Sequence, residues 1–248
     1  MRARKVPEIT AVFWIAKLLT TAMGEATSDY LANTISLYLA VAVGFVIFVL
    51  ALWLQFRAKH YTPWTYWFAV AMVAVFGTMA ADVLHKQFGV PYTASTAFFA
   101  VCLAVVFTVW QRVEHSLSIH SITTPRREVF YWLTVVTTFA LGTAAGDWTA
   151  YSLGLGYLSS GFLFAAVILV PAIGRYLRLN GVVVFWFAYI ITRPLGASFA
   201  DWLGKPVPAG LGHGDGTVSA GLTMVIVLCV AYMTFNRHER QSENTLHS

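Results

Sequence analysis

Long apolar stretches alternate along the chain with short segments of polar and turn-forming residues. A helix needs roughly 20 mostly apolar residues to cross a bilayer. Eight stretches meet this need, and prolines such as Pro63, Pro91 and Pro125 mark turns between them. The predicted spans are 8–28, 32–56, 63–84, 92–112, 128–150, 157–177, 181–203 and 217–235. The pattern therefore predicts an all-α integral membrane protein with eight transmembrane helices.

A motif of tryptophan, glycine and aspartate recurs in every second span with the spacing Trp-x9-Gly-x4-Asp. The four copies are Trp14, Gly24, Asp29; Trp67, Gly77, Asp82; Trp132, Gly142, Asp147; and Trp186, Gly196, Asp201. The aromatic residues that precede the tryptophans are Phe13, Tyr66, Tyr131 and Phe185. Self-similarity of this kind indicates a duplicated structural unit. We therefore predict a single membrane domain, 1–248, of four tandem two-helix repeats at 7–58, 61–112, 127–178 and 181–236.

Basic residues lie almost entirely at one set of span ends. Those ends carry Arg2, Arg4, Lys5, Arg57, Lys59, Arg112, Arg126, Arg127, Arg175, Arg178, Arg237 and Arg240, and the opposite ends carry Lys86 and Lys205. Cytoplasmic span ends carry the excess of lysine and arginine in membrane proteins. We therefore expect both termini to be cytoplasmic, with residues 237–248 as a disordered cytoplasmic tail.

Each repeat consists of a motif-bearing helix followed by a helix without the motif. All four motif helices should then begin on the cytoplasmic side, so the repeats are parallel and related by an axis along the membrane normal. The helices without the motif carry no charge across their central stretches. We expect the motif helices to lie inside the bundle and the other four to lie outside, toward lipid.

Two segments of the first repeat, Lys5–Thr10 and Gly24–Tyr30, carry a family resemblance. They resemble a bacterial family of membrane proteins with four tandem two-helix repeats, each with a characteristic tryptophan. The family has been described as a repeat of unknown function in membrane-anchored proteins, and the resemblance covers nearly the whole chain. It implies the same architecture and a location in the bacterial cytoplasmic (inner) membrane, and it implies no activity.

Composition excludes a soluble domain. Apolar residues make up 58% of the chain and charged residues 11%, whereas a soluble domain carries roughly 25% charged residues. The formal charge of +5 falls in clusters between apolar runs, which favours membrane topology over a nucleic-acid partner. Cys102 and Cys229 lie inside apolar runs, and we interpret them as small core residues. The predicted partners are the lipid bilayer and a small ion or solute, and the sequence leaves a homo-oligomer open.

The four motif aspartates are candidate ion ligands. They should lie roughly 27–30 Å along their helices, near the outer edge of the hydrocarbon. In one interpretation they form a ring of carboxylates that attracts or coordinates Mg²⁺, Mn²⁺, Ca²⁺ or protons, since hard cations prefer oxygen ligands. In the other, each aspartate caps the loop that follows it. The candidate metal ligands are Asp29, Asp82, Asp147, Asp201 and Glu25; the sequence predicts no cofactor beyond such a bound divalent cation.

Lys17 and Arg193 are predicted near the middle of the membrane, at roughly 12 and 17 Å along their helices. Each would cost roughly 2.5–3.5 kcal/mol there, so each needs a partner. Glu25 and Asp201 follow them at two helical turns, and partners from neighbouring helices are equally plausible. Because Lys17, Arg193 and Glu25 break the repeat pattern, we interpret them as pathway residues, with a buried structural ion network as the alternative.

The remaining motif positions are interpreted as packing positions. Small residues let membrane helices approach closely, which is the expected role of Gly24, Gly77, Gly142 and Gly196. The tryptophans should form an aromatic belt or packing anchors, with a substrate platform as the alternative. They are Trp14, Trp67, Trp132 and Trp186.

The leading functional hypothesis is a membrane transporter of a small cation, either a divalent metal or a proton-coupled ion. In it, the aspartates attract the ion, Glu25 titrates, and Lys17 and Arg193 act as internal counter-charges. The alternatives are a membrane sensor or assembly scaffold without flux, and a channel with a pseudo-fourfold pore. We expect no enzyme, because the spans show no Ser/His, paired-Asp or His-x-x-x-His pattern.

Overall fold

The computed structural model describes residues 4–246, apart from the side chains of Lys86 and of residues 237–246. The described chain is all-helical. Its α-helices are α1 (Ala11–Thr34), α2 (Leu37–Arg57), α3 (Pro63–Lys86), α4 (Tyr92–Glu114), α5 (Pro125–Asp147), α6 (Gly156–Val167), α7 (Leu169–Tyr176), α8 (Gly181–Gly204) and α9 (Asp215–Leu246). A 3₁₀ turn at Ile119–Ser121 precedes α5, and a π-helical turn at Trp148–Ser152 extends it.

Seven helical segments are long and apolar enough to cross a membrane. They are Leu37–Arg57, Pro63–His85, Tyr92–Glu114, Pro125–Ser152, Gly156–Tyr176, Gly181–Gly204 and Asp215–Asn236. The chain is therefore a multi-pass membrane protein. Helix α1 is not among the seven; it carries Lys17, Glu25 and Asp29, whose charges reduce its apolarity.

Local sequence signals explain where the motif helices begin. Helix α1 starts after Thr10 and α5 after Thr124, and each threonine hydroxyl accepts a hydrogen bond from a backbone N–H of the first turn. Helices α3 and α5 open with Pro63 and Pro125, whose fixed φ suits the first helical position. The predicted span 128–150 therefore starts too late, since the cap at Thr124 begins the helix at Pro125.

The predicted span 157–177 is interrupted. Helix α6 ends at Val167 and α7 begins at Leu169, with Ile168 between them. Pro171 lacks the N–H that would bond to the carbonyl of Val167, which explains an interruption at this point. Helix α9 continues to Leu246, past the apolar stretch that ends at Asn236. The predicted disorder of 237–248 concerns residues whose side chains are not described, with 247–248 outside the described residues, and it stays a prediction.

The helices form an inner set and an outer set. The inner helices are α1, α3, α5 and α8, which contain the motif, and contacts join α1 to α3, α3 to α5, α5 to α8 and α8 to α1. Each outer helix packs mainly on the inner helix of the following repeat: α2 on α3, α4 on α5, and α6 with α7 on α8. The last outer helix, α9, packs on α1. The fourth repeat thus contacts the first, and the bundle is closed.

Burial separates the two sets. In the most apolar window of α3, 61% of residues are buried, against 17% in that of α2. The outer helices expose large apolar side chains such as Val46, Phe98, Phe162 and Leu228. Such an apolar surface on a multi-pass protein is suited to contact with lipid.

Candidate functional site

A closed set of aromatic contacts fills the bundle at the N-terminal ends of the inner helices. The aromatic residue before each motif tryptophan packs against the tryptophan of the next repeat. The ring centroids are 5.8 Å apart for Phe13 and Trp67, 5.7 Å for Tyr66 and Trp132, 6.2 Å for Tyr131 and Trp186, and 5.6 Å for Phe185 and Trp14. Three of the tryptophans are buried and Trp14 is half-buried. The four tryptophans are therefore part of the protein core.

The motif glycines lie at close crossings between neighbouring inner helices. Each faces the residue seven positions after the tryptophan of the next repeat, so that an added Cβ would overlap that residue. The pairs are Gly24 with Ala74, Gly77 with Phe139, Gly142 with Arg193 and Gly196 with Thr21. The last pair again joins the fourth repeat to the first. Small side chains at these positions let the helices approach closely.

One face of each inner helix points toward the interior of the bundle. Residues four apart share a helix face, so the interior residues recur at every fourth position. The residues three positions after the tryptophans are Lys17, Val70, Val135 and Tyr189, and those at seven are Thr21, Ala74, Phe139 and Arg193. Those at eleven are Glu25, Thr78, Thr143 and Ala197, and the aspartates follow at fifteen. All are buried except Asp147, which is half-buried. The interior thus changes from aromatic at one end to acidic at the other.

Arg193 lies where the four repeats meet. Its Nη2 donates to Glu25 Oε2 at 2.7 Å, to Thr143 Oγ1 at 2.6 Å and to the hydroxyl of Thr78. Its Nη1 donates to the carbonyl of Thr21 at 3.3 Å. Glu25, Thr78 and Thr143 are the same position of the first three repeats. A group that contacts all three lies close to the centre of the four inner helices, and the Arg193 side chain is completely buried there.

Lys17 lies one helical turn closer to the N-terminal ends of the inner helices than Arg193, in an aromatic environment. Its Nζ is 4.0 Å from the centroid of the Phe139 ring and 4.3 Å from that of Tyr189. Among the described residues, no hydrogen-bond acceptor reaches this nitrogen. Lys17 therefore interacts through the faces of two rings, a favourable arrangement for a cation.

Three carboxylates meet between α1 and α8. Oxygens of Glu25, Asp29 and Asp201 all lie within 4.8 Å of one another, and all three residues are buried. The structure thus brings together three of the five candidate metal ligands. Asp82 and Asp147, on α3 and α5, do not belong to this cluster. The expected ring of four equivalent aspartates is therefore not a single group of adjacent ligands, because the two on adjacent helices α1 and α8 converge with Glu25.

Lys205, which follows α8, inserts its ammonium group beside this cluster. It donates a hydrogen bond to Asp29, and its Nζ lies 3.7 Å from Asp201 and 3.4 Å from Asp215. Burial alone would lower the pKa of Lys205, but the charges of Asp29 and Asp201 outweigh it and hold the pKa well above its ordinary value. Lys205 is therefore a permanent positive charge at the acidic end of the bundle.

The effect of Lys205 on stability should be independent of pH near neutrality. Its pKa is raised on folding, so its contribution is complete below the unfolded pKa of roughly 10.4 and is lost as pH rises through the higher folded value. We expect Lys205→Gln to lower the free energy of unfolding by roughly 1–2 kcal/mol, equally at pH 6 and pH 9. Thermal unfolding of the purified protein measures this. Lys59→Gln, at an exposed position, is the matched control.

The ionic contacts at the opposite end tie segments together. Lys5 Nζ lies 2.7 Å from Glu128 Oε2, and Gln55 donates to the other oxygen of Glu128. Glu114 accepts hydrogen bonds from Arg126 and Arg127. These pairs connect the N-terminal segment and α4 to the start of α5, and they lie apart from the acidic cluster.

The repeats match a known family model. Four segments, 12–61, 65–116, 130–178 and 184–239, each match the model described as Repeat of Unknown Function (DUF347). The chain belongs to this family. The match confirms the expected family of tandem repeats of unknown function, and the Trp-x9-Gly-x4-Asp motif lies within each matched repeat. A comparison with curated proteins and one with solved structures found no significant match.

Proposed function

We propose that this DUF347 protein is a membrane transporter of a small cation, either a divalent metal or a proton-coupled ion. In this proposal α1 is the eighth span, the four repeats are parallel, and their basic ends face the cytoplasm of a bacterial inner membrane. The observation that carries the proposal is the buried cluster of Glu25, Asp29 and Asp201 between two inner helices. Intramembrane ionisable groups most often mark ion or proton pathways.

The charges of this cluster are suited to a cation. Glu25, Asp29, Asp201 and Asp215 face two cations, Arg193 and Lys205, which leaves two negative charges in excess when all six groups are ionised. One divalent ion or two protons would balance this excess. Carboxylate oxygens are the ligands preferred by Mg²⁺, Mn²⁺ and Ca²⁺.

The interior favours a carrier over an open pore. The aromatic contacts fill the bundle at one end, and the Arg193 guanidinium occupies the centre above them. A cation that enters from the acidic end meets this positive charge before it can cross. Passage therefore requires Arg193 to move and its ion pair with Glu25 to open.

Ion flux in reconstituted liposomes tests the proposal. We expect flux of Mg²⁺, Mn²⁺, Ca²⁺ or protons with the wild-type protein, and complete loss of flux in the double variant Asp29→Asn/Asp201→Asn, because the cluster keeps one carboxylate of three. Glu114→Gln, which changes a carboxylate at the opposite end, should retain flux. Folding of each variant is checked by its elution as a single species. Undiminished flux in the double variant would contradict the proposal.

A sensor or assembly scaffold is the second candidate. The hydrogen bonds of Arg193 to three repeats favour it, since they resemble a structural ion network that fixes helix register. This function predicts no flux with the wild-type protein for any of the ions. A channel predicts instead a reversal potential that follows the ion gradient in bilayer recordings.

A further inference from the structure

We propose that a groove on the side of the bundle binds an anionic phospholipid. The lateral groove lies between α1, α7 and α8 and has a volume of about 1580 Å³. Sites for small molecules measure roughly 300–1,000 Å³, so this groove is suited to a larger, elongated ligand. The inference is independent of ion transport, because it concerns a surface away from the acidic cluster.

The groove lies where the inner helices α1 and α8 meet, beside the outer helix α7. Helix α9 covers α1 at the acidic end, where Gly216 lies against Tyr30 and Thr27 hydrogen-bonds to Ser219. At the basic end, apolar residues of α1 and α8 line the groove beside α7. Ile15, for example, is 52% exposed.

The two parts of the groove differ in chemistry. Its floor is apolar and includes Trp14, Ile15 and Leu18 from α1 and Val184 and Ala188 from α8. This floor lies within the predicted spans, where lipid acyl chains are the surrounding solvent. An apolar surface of this kind can bury acyl chains at a gain of roughly 0.8 kcal/mol per CH₂ group.

The rim is basic. Arg4, Arg175 and Arg178 line it with His120, against a single carboxylate among the described lining residues, Glu8. No hydrogen bond or ion pair to another described side chain involves the three guanidinium groups. Guanidinium groups bind phosphate through paired hydrogen bonds. Basic pockets between transmembrane helices at the cytoplasmic side bind anionic lipid headgroups, and the distribution of basic residues predicts that this end is cytoplasmic.

Together the apolar floor and the basic rim identify the class of ligand that fits the groove. A free phosphate ion would use the arginines and leave the apolar floor uncovered, and a zwitterionic lipid would use the floor without a net charge for the rim. A phospholipid with a net negative headgroup, such as phosphatidylglycerol, matches both parts.

Lipid binding to the purified full-length chain tests the inference. Phosphatidylglycerol and phosphatidylcholine are titrated separately, and bound lipid is counted by native mass spectrometry. We expect retention of phosphatidylglycerol and not of phosphatidylcholine. Because each basic residue contributes roughly 1 kcal/mol near a charged lipid surface, Arg175→Gln/Arg178→Gln should weaken binding roughly 30-fold. Arg112→Gln, at the same end on α4, should leave the affinity unchanged.

A second variant tests the apolar floor without a change in charge. Ala188→Phe fills the groove, and we expect it to reduce phosphatidylglycerol binding although all arginines remain. Equal retention of the two lipids, or a charge variant that behaves as Arg112→Gln does, would overturn the inference. Displacement of the lipid by inorganic phosphate at millimolar concentration would identify a plain anion site, and it would overturn the lipid assignment. None of these results depends on ion flux.

Discussion

Replacement of Arg193 by methionine should lower the free energy of unfolding by roughly 3–5 kcal/mol. Methionine keeps most of the apolar stem and removes the charge. Glu25, which is buried and takes a 2.7 Å hydrogen bond from Arg193, would then be an uncompensated charge in the interior. Thr78 and Thr143 would lose the donor they share. Loss of one partner from a buried pair is more costly than the pair is favourable.

The double variant Arg193→Met/Glu25→Gln separates this mechanism from a simple loss of packing. It removes both charges, and we expect it to recover a large part of the stability, with a coupling that a double-mutant cycle measures. Denaturation of the purified protein in detergent provides the free energies. Arg126→Met is the matched control. The Arg126 side chain, which pairs with Glu114, is 68% exposed, and exposed ion pairs contribute at most about 1 kcal/mol. An Arg193 variant no less stable than this control would contradict a central role for the ion pair.

The sequence was sufficient for the repeat and for most of the spans. Bilayer thickness and helix rise relate span length to a run of apolar residues, so seven spans follow from local composition. The spacing from Trp14 to Gly24 recurs in four copies, and the tryptophan and the glycine of each copy make the same kind of contact with a neighbouring repeat. The family match confirms the four tandem repeats.

The partner of Arg193 could not be derived from one helix. Glu25 comes from the first repeat and Arg193 from the fourth, so their contact depends on the closure of the ring between α8 and α1. One signal did exist in the sequence. Glu25, Thr78 and Thr143 occupy the same repeat position, and three polar side chains at one interior level need a shared partner.

The role of Lys205 was also hidden, because it lies in a loop where no periodicity applies. The sequence places it only among the few basic residues at the opposite span ends. Asp201 precedes it by four residues, a spacing that places two side chains on the same helix face. This spacing suggests the pair with Asp201, but Asp29 and Asp215 join it only through the fold.

The close crossing of α1 and α3 leads to the second large effect that we expect. Gly24→Ala should lower the free energy of unfolding by roughly 2–3 kcal/mol, the upper part of the range of about 1–3 kcal/mol for added atoms in a well-packed interior. A Cβ at this position would overlap the Cβ of Ala74 and lie 2.8 Å from its backbone carbonyl carbon. Because backbone atoms cannot rotate away as a flexible side chain can, α1 and α3 must separate, and the contacts along their length would weaken.

Gly221→Ala provides a control of opposite sign. Gly221 lies within α9, and a Cβ there would meet no atom within 4 Å. The same chemical change should therefore stabilise the protein by roughly 0.5–1 kcal/mol through the conformational entropy of the unfolded chain. Both variants are measured by the same denaturation in detergent. If both changes stabilise the protein, the glycine positions are not close helix crossings, and the recurrence of glycine in all four repeats would need another physical cause.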